Sequence, residues 1–141
     1  MISSACSTSR MRSAASIPGA PRTSDTPVNA LRVTTAAEAV RFTQQLYSPH
    51  FKVILDVRAM SWEEKPIPQI LRESRGHFAY VHANDKNLKG PGFGAVDFVP
   101  IAAALREVGY DGTVSVEVFK FDEGPEVIAT QSREYLRRVF Q

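Results

Sequence analysis

Residues 78–98 read FAYVHANDKNLKGPGFGAVDF, and this stretch decides the fold of the chain. It opens with an apolar run, residues 78–81, that is long enough for a buried strand and is followed at once by polar side chains. A glycine-rich loop comes next, and Asp97 then precedes a helical pattern. The order strand, polar tip, loop and helix predicts one βα unit. Its chemistry is expected at the carboxyl end of the strand, where parallel α/β folds place their active sites.

Two further apolar runs have the same plan as the central strand. Residues 51–55 are followed by Asp56, and residues 113–118 contain Glu117 after the run VSV. The central run, residues 78–81, is followed by His82. The carboxyl ends of adjacent parallel strands meet at one edge of a sheet. We therefore expect these three side chains to converge.

The segments between the strands have helical spacing. Thr35 and Glu38 have the capping-box spacing at the start of the first helix, which Ser48 and Pro49 end. Later helices are predicted around residues 69–74, 100–108 and 125–140, and residues 57–64 are predicted to be a loop with a short turn. Strands alternating with helices indicate the α/β class, a parallel sheet of three βα units preceded by one helix.

Composition excludes several classes of protein. The chain has 141 residues, of which 43% are hydrophobic, and this size and apolar content suit one domain. The net charge of +2 is too small to indicate a nucleic-acid or membrane partner, and no apolar run approaches the roughly 18 residues of a membrane span. Cys6 is the single cysteine, which excludes a disulfide framework and a thiolate metal site. A soluble, cytoplasmic protein is expected.

Residues 1–30 differ from the rest of the chain. They are rich in Ser, Ala, Arg and Pro, and no acidic residue precedes Asp25. Such a segment is expected to be a disordered extension, with residues 31–141 as the folded domain. An organelle transit peptide is the alternative, which the lack of a sustained amphipathic pattern disfavours.

Several segments carry a resemblance to a known family: TAAEAVRF, FKVILDVRAM, YVHAND, GPGFGAVDF and ALREVGYDGTVSVEVF. Together they resemble the last third of the sugar phosphate isomerase/epimerase family, whose fold is the xylose isomerase-like TIM barrel. The resemblance covers about residues 33–140. It implies a partial TIM barrel in which the three βα units are the C-terminal ones.

The resemblance also implies a metal centre. Members of the family hold one divalent metal, commonly Mn, Mg, Co or Zn, with Glu, Asp, His and Glu from the last four strands. Asp56, His82 and Glu117 match the second, third and fourth of these ligands. A ligand set of one imidazole with carboxylates indicates Mn or Mg rather than the zinc of a thiolate-type site.

A metal-dependent isomerase or epimerase acting on a sugar or sugar phosphate is the function implied. The metal polarises a ketose carbonyl and stabilises the enediolate that forms when a carboxylate removes the neighbouring proton. Glu117 is the candidate acid/base. Asn84, Asp85 and Lys89 lie on the predicted mouth and are candidates for orienting ligands or binding the hydroxyls and phosphate of a substrate.

The chain departs from the family pattern at two positions. No Glu occurs before Glu38, so the first ligand, which is also one of two acid/base carboxylates in epimerases of the family, is missing. Ala59 stands where many members have a substrate-binding His. The chain therefore looks like a truncated barrel. Such a barrel has open edges and an uncovered face, which is expected to carry Val53, Leu55, Tyr80 and Val116. These features predict self-association, partnership with a chain that carries the missing strands, or poor solubility.

Plainer interpretations stay open for these residues. A strand-tip carboxylate is often only a helix cap, and Asp97 is expected to cap the helix after it. His50 and His77 are expected to be surface or loop residues, and the glycine loop lacks the lysine spacing of a phosphate loop. Two other functions are considered. One is a non-catalytic remnant that acts through oligomerisation or weak ligand binding. The other is an abasic-site endonuclease, whose multi-zinc site needs more than the three histidines present.

Overall fold

The computed structural model describes residues 33–141, and the extension expected at residues 1–30 lies outside them. None of the described helices is long and apolar enough to cross a bilayer. The described elements are, in chain order, α1 (Ala36–Gln45), β1 (Val53–Asp56), α2 (Val57–Met60), α3 (Ile67–Glu73), β2 (Phe78–Ala83), α4 (Phe98–Glu107), β3 (Thr113–Val116) and α5 (Pro125–Phe140).

The three strands form one parallel sheet in the order β1-β2-β3, which confirms the predicted α/β class and the central place of residues 78–81. Asp56 pairs in register with His82, and His82 pairs with Ser115. β2 continues two residues past its predicted end, so His82 lies within the strand. β3 is shorter than predicted and ends at Val116, so Glu117 is the first residue after it.

Side-chain caps explain where the helices begin. The predicted capping box is present, because Thr35 Oγ1 accepts a hydrogen bond from Glu38 N at 3.3 Å and Glu38 Oε2 accepts one from Thr35 N at 3.1 Å. Asp97 caps α4 as predicted by accepting a hydrogen bond from Val99 N at 2.9 Å. The predicted loop after β1 instead begins with the short helix α2, since Asp56 caps it.

The main core lies between the sheet and the helices. Leu55 and Val81, at 2% and 1% exposure, pack there with Leu71 of α3 and with Phe98 and Leu105 of α4. Successive strand residues point to opposite faces of a sheet. The face covered by the helices therefore carries the residues that alternate with Asp56 and His82 along their strands. The opposite face carries Asp56 and His82.

The prediction for the uncovered face is wrong for Leu55, which is buried under the helices, and for Val53 and Val116, which pack partly buried against the same core. Side chains alternate between the two faces of a strand, so residues that share a face with Asp56 or Glu117 lie an even number of positions away from them. Val53, Leu55 and Val116 lie an odd number of positions away, which explains the error. The face opposite the helices, called the open face below, carries the in-register rows Ile54-Tyr80-Thr113 and Asp56-His82-Ser115. Ile54 is 57% exposed there.

Candidate metal centre

Asp56, His82 and Glu117 converge at the carboxyl end of the sheet. Each offers one ligand atom, and these atoms all lie within 4.8 Å of one another. His82 Nδ1 lies 3.2 Å from Glu117 Oε2 and 3.9 Å from Asp56 Oδ2. All three side chains are partly exposed, so a small ligand can reach them from solvent. Two carboxylate oxygens and one imidazole nitrogen at this spacing fit a hard divalent cation.

The elements hold each of the three side chains in a defined way. Asp56 ends β1 and directs Oδ1 to Ala59 N at 2.7 Å, which leaves Oδ2 facing the centre. The ring of His82 packs edge-on against Tyr80 two residues earlier, with the ring centroids 5.5 Å apart. Glu117 N donates to Ala83 O at 3.1 Å and so extends the β2–β3 ladder one residue past the end of β3. The parallel register therefore brings all three residues to one edge.

Asn84 lies between the two carboxylates. Its side chain is fully buried, and Nδ2 donates to Asp56 Oδ2 at 2.6 Å and to Glu117 Oε2 at 3.2 Å. Its Oδ1 accepts a hydrogen bond from Arg58 N at 2.8 Å. The sequence predicted Asn84 at the mouth of the barrel but not this bridge, because the bridge connects Asn84 to residues that lie 28 and 33 positions away from it in the chain.

Asp85 faces the glycine-rich loop. It is 1% exposed, and its Oδ2 accepts a hydrogen bond from Val96 N at 2.9 Å. The backbone closes the same turn, since Asp85 N donates to Lys89 O and Leu88 N donates to Asp85 O, both at 3.0 Å. The Asp85 side chain therefore supports the glycine-rich loop, and its role in substrate binding stays a prediction.

Lys89 has acidic partners from the segment after β3. Nζ forms an ion pair with Glu123 and a second with Asp122 at 3.3 Å. The hydrogen bond to Glu123 raises the pKa of Lys89 above its usual value, with a smaller contribution from Asp122. Lys89 is therefore a cation whose charge is already balanced within the protein, and contact with a substrate phosphate stays a prediction.

Two further residues follow Asp56 in the chain, one within α2 and one just after it. Ala59, at the position where the family often has a substrate-binding His, is exposed and offers no side-chain donor. Trp62 is 71% exposed, and Lys86 Nζ lies 5.9 Å from the centroid of its ring system. Sequence analysis did not single out Trp62, because only tertiary structure shows that it is exposed and near a residue of the β2 loop.

Gly94→Ala should destabilise the protein. A Cβ at this position would overlap the buried Asp85 carboxylate, which has to stay in place to hold Val96 N. Such overpacking typically costs about 1–3 kcal/mol of unfolding free energy. Urea unfolding followed by circular dichroism measures the loss, with Ala95→Ser at the exposed neighbouring position as the control. An unchanged midpoint for Gly94→Ala would show that the loop adjusts freely.

Comparisons with known proteins agree with this geometry. The family model described as "Xylose isomerase-like TIM barrel" matches residues 21–139. D-psicose 3-epimerase of Ruminiclostridium cellulolyticum is 36% identical over 87 residues, which are 62% of this chain and 30% of that protein. The 3-dehydro-D-guloside 4-epimerase of Escherichia coli is 30% identical over 105 residues, 74% of this chain and 40% of that protein.

The fold matches solved structures as well. A crystal structure of D-psicose 3-epimerase in the presence of D-fructose superposes with a TM-score of 0.71 at 25% identity, covering 77% of this chain and 44% of that chain. The chain thus spans less than half the length of each of these relatives. The family model spans most of the sequence, and the three parallel βα units match part of a solved barrel. The chain therefore belongs to the xylose isomerase-like TIM barrel family.

Proposed function

We propose that the chain forms the metal-binding part of a sugar isomerase or epimerase that moves a proton next to the carbonyl of a ketose. The observation that carries the proposal is the convergence of Asp56, His82 and Glu117 at the carboxyl end of the sheet. Relatives that include a D-psicose 3-epimerase and an L-ribulose 3-epimerase support the substrate class. Both names describe epimerisation of a ketose at the carbon beside its carbonyl.

Asp56, His82 and Glu117 would hold a divalent metal, with Mn or Mg better suited than the alternatives Co and Zn. Such an ion, when bound, supplies positive charge that stabilises the oxyanion of an enediolate. Glu117 is the proton acceptor in the proposal, because it is the most exposed of the three side chains and follows the end of its strand. Asp56 is less suited to that role, since both of its oxygens already accept hydrogen bonds.

An unphosphorylated ketose is favoured over a sugar phosphate. Lys89 was the candidate contact for a phosphate, and its Nζ is paired with both Glu123 and Asp122. Binding a phosphate there would require breaking these ion pairs and placing the new anion beside two carboxylates. The hydroxyl groups of a free sugar make no such demand.

Mn²⁺ should bind to the 141-residue chain, and Asp56→Asn, His82→Asn or Glu117→Gln should each weaken binding at least about tenfold, since each removes a direct ligand. Isothermal calorimetry with MnCl₂ measures the dissociation constants. His50→Asn is the matched control, because His50 is exposed and outside the centre. Absence of binding by the unmutated chain at millimolar Mn²⁺ would contradict the proposed function.

A metal-binding chain without turnover is the second candidate function. One observation favours it: within residues 33–141 the cluster contains three ligand residues, and no fourth carboxylate joins them. Epimerisation needs a base on each face of the sugar carbon. Assays of ketose epimerisation distinguish the two candidates. Both candidates require metal binding, but only the isomerase or epimerase requires turnover.

A further inference from the structure

We propose that Asn84 is a positioning residue that holds Asp56 and Glu117 as a converging pair, and that it does not contact substrate. The inference deepens the proposed function and rests on it where metal affinity is concerned. Asn84 follows β2, the central strand, and its side chain reaches the residue at the tip of each neighbouring strand. It is fully buried, whereas the three ligand candidates are partly exposed.

The hydrogen-bonding capacity of the Asn84 amide is used within the protein. An amide nitrogen has two N–H donors, and here one is directed to Asp56 Oδ2 and the other to Glu117 Oε2. The amide oxygen accepts from Arg58 N. The reverse orientation of the amide would place its oxygen against two carboxylates and its N–H groups against a backbone donor, so the surroundings select this orientation. No donor remains for a sugar hydroxyl.

The two oxygens that Asn84 contacts are the ones that face the centre. Asp56 Oδ2 and Glu117 Oε2 are also the oxygens nearest His82 Nδ1. Two like charges brought this close repel one another unless a donor or a cation lies between them. A carboxylate oxygen that accepts one N–H bond keeps a lone pair for a metal ion, so Asn84 can hold the pair in place both before and after an ion binds.

A variant pair tests this role through metal affinity. Asn84→Ala should raise the Mn²⁺ dissociation constant of the full 141-residue chain about 10–100-fold, the usual effect of removing a group that orients ligands. Asn87→Ala is the matched control. Asn87 lies in the same loop and also uses both ends of its amide, yet its partners are Phe93 O at 2.8 Å and Lys89 N at 2.9 Å. The control should change the constant less than about threefold, and equal effects of the two variants would overturn the proposal.

A second measurement in metal-free buffer keeps this inference separate from the proposed function. Asn84→Ala is compared in the unmutated chain and in the Asp56→Asn/Glu117→Gln background, with thermal unfolding as the readout. Hydrogen bonds to charged groups contribute more than those to neutral groups, so the fall in melting temperature should be about 5 °C larger in the unmutated chain. Equal falls would overturn the role of Asn84. Asn84→Ser, which keeps one donor, replaces Asn84→Ala if the alanine variant does not fold.

The outcomes separate cleanly. If the unmutated chain binds no Mn²⁺, the proposed function fails, and the metal-free comparison alone decides whether Asn84 holds the carboxylate pair. If the unmutated chain binds Mn²⁺ and folded Asn84→Ala binds it equally well, the proposed function stands and the positioning role is refuted. A merely structural asparagine would lower the melting temperature equally in both backgrounds and would leave the Mn²⁺ affinity unchanged.

Discussion

Supplied with Mn²⁺ and a ketose, the 141-residue chain is expected to epimerise its substrate about a hundredfold to ten-thousandfold more slowly than a full-length ketose 3-epimerase. Inversion at a carbon removes the proton on one face and returns it on the other, so two acid/base groups are needed. Within residues 33–141, Glu117 and Asp56 are the carboxylates of the cluster. Both oxygens of Asp56 accept hydrogen bonds, from Ala59 N and from Asn84, whereas Asn84 contacts one oxygen of Glu117. Glu117 is therefore expected to act as the single base.

The assay follows conversion between two ketose epimers by chromatography, with D-psicose 3-epimerase of Ruminiclostridium cellulolyticum as the reference enzyme. Glu117→Gln should abolish the residual rate, because its amide cannot take up a proton, whereas His50→Asn should leave that rate unchanged. Turnover at the rate of the reference enzyme, lost in Glu117→Gln, would contradict the expectation. A second base would then have to come from a residue outside the described part of the chain or from another molecule.

The sequence predicted the parts of the fold that depend on local pattern. The capping box at Thr35 and the cap at Asp97 are local signals, and the structure has them where they were expected. The three apolar runs are strands as predicted, with ends that differ by one or two residues from the predicted ones. The convergence of Asp56, His82 and Glu117 could also be predicted, because a parallel sheet brings the ends of its strands together whatever the details of packing. Assignment of these three residues as metal ligands stays a prediction until an ion is measured.

Other features depend on contacts between distant segments, and the sequence could not supply them. The partners of Lys89 lie 33 and 34 positions along the chain, in a segment that sequence analysis passed over. The burial of Leu55 is different in kind, because it follows locally from the alternation of side chains along a strand once Asp56, the next residue, is placed on the open face. The bridge from Asn84 needed the register of all three strands.

The open face bears on how the chain assembles. The described sheet has three strands, and β1 and β3 each have one edge without a strand partner among residues 33–141. An eight-stranded barrel has no such edges, and its interior face is filled by side chains from the other strands. Here Ile54 is 57% exposed on that face, beside Tyr80. Unpaired strand edges next to exposed apolar side chains favour association with another chain.

We therefore expect the purified chain to self-associate at tens of micromolar, and Ile54→Lys to weaken this association. Burying an isoleucine side chain contributes roughly 1.5–3 kcal/mol, so placing a charge there should raise the dissociation constant at least about tenfold. Val99→Lys is the matched control, because Val99 is an aliphatic residue of similar exposure, 59%, on α4 rather than on the open face. Light scattering coupled to size exclusion measures the mass of each variant. A cooperatively melting monomer at these concentrations would show that the open face tolerates water, whereas equal effects of the two lysines would place the interface elsewhere.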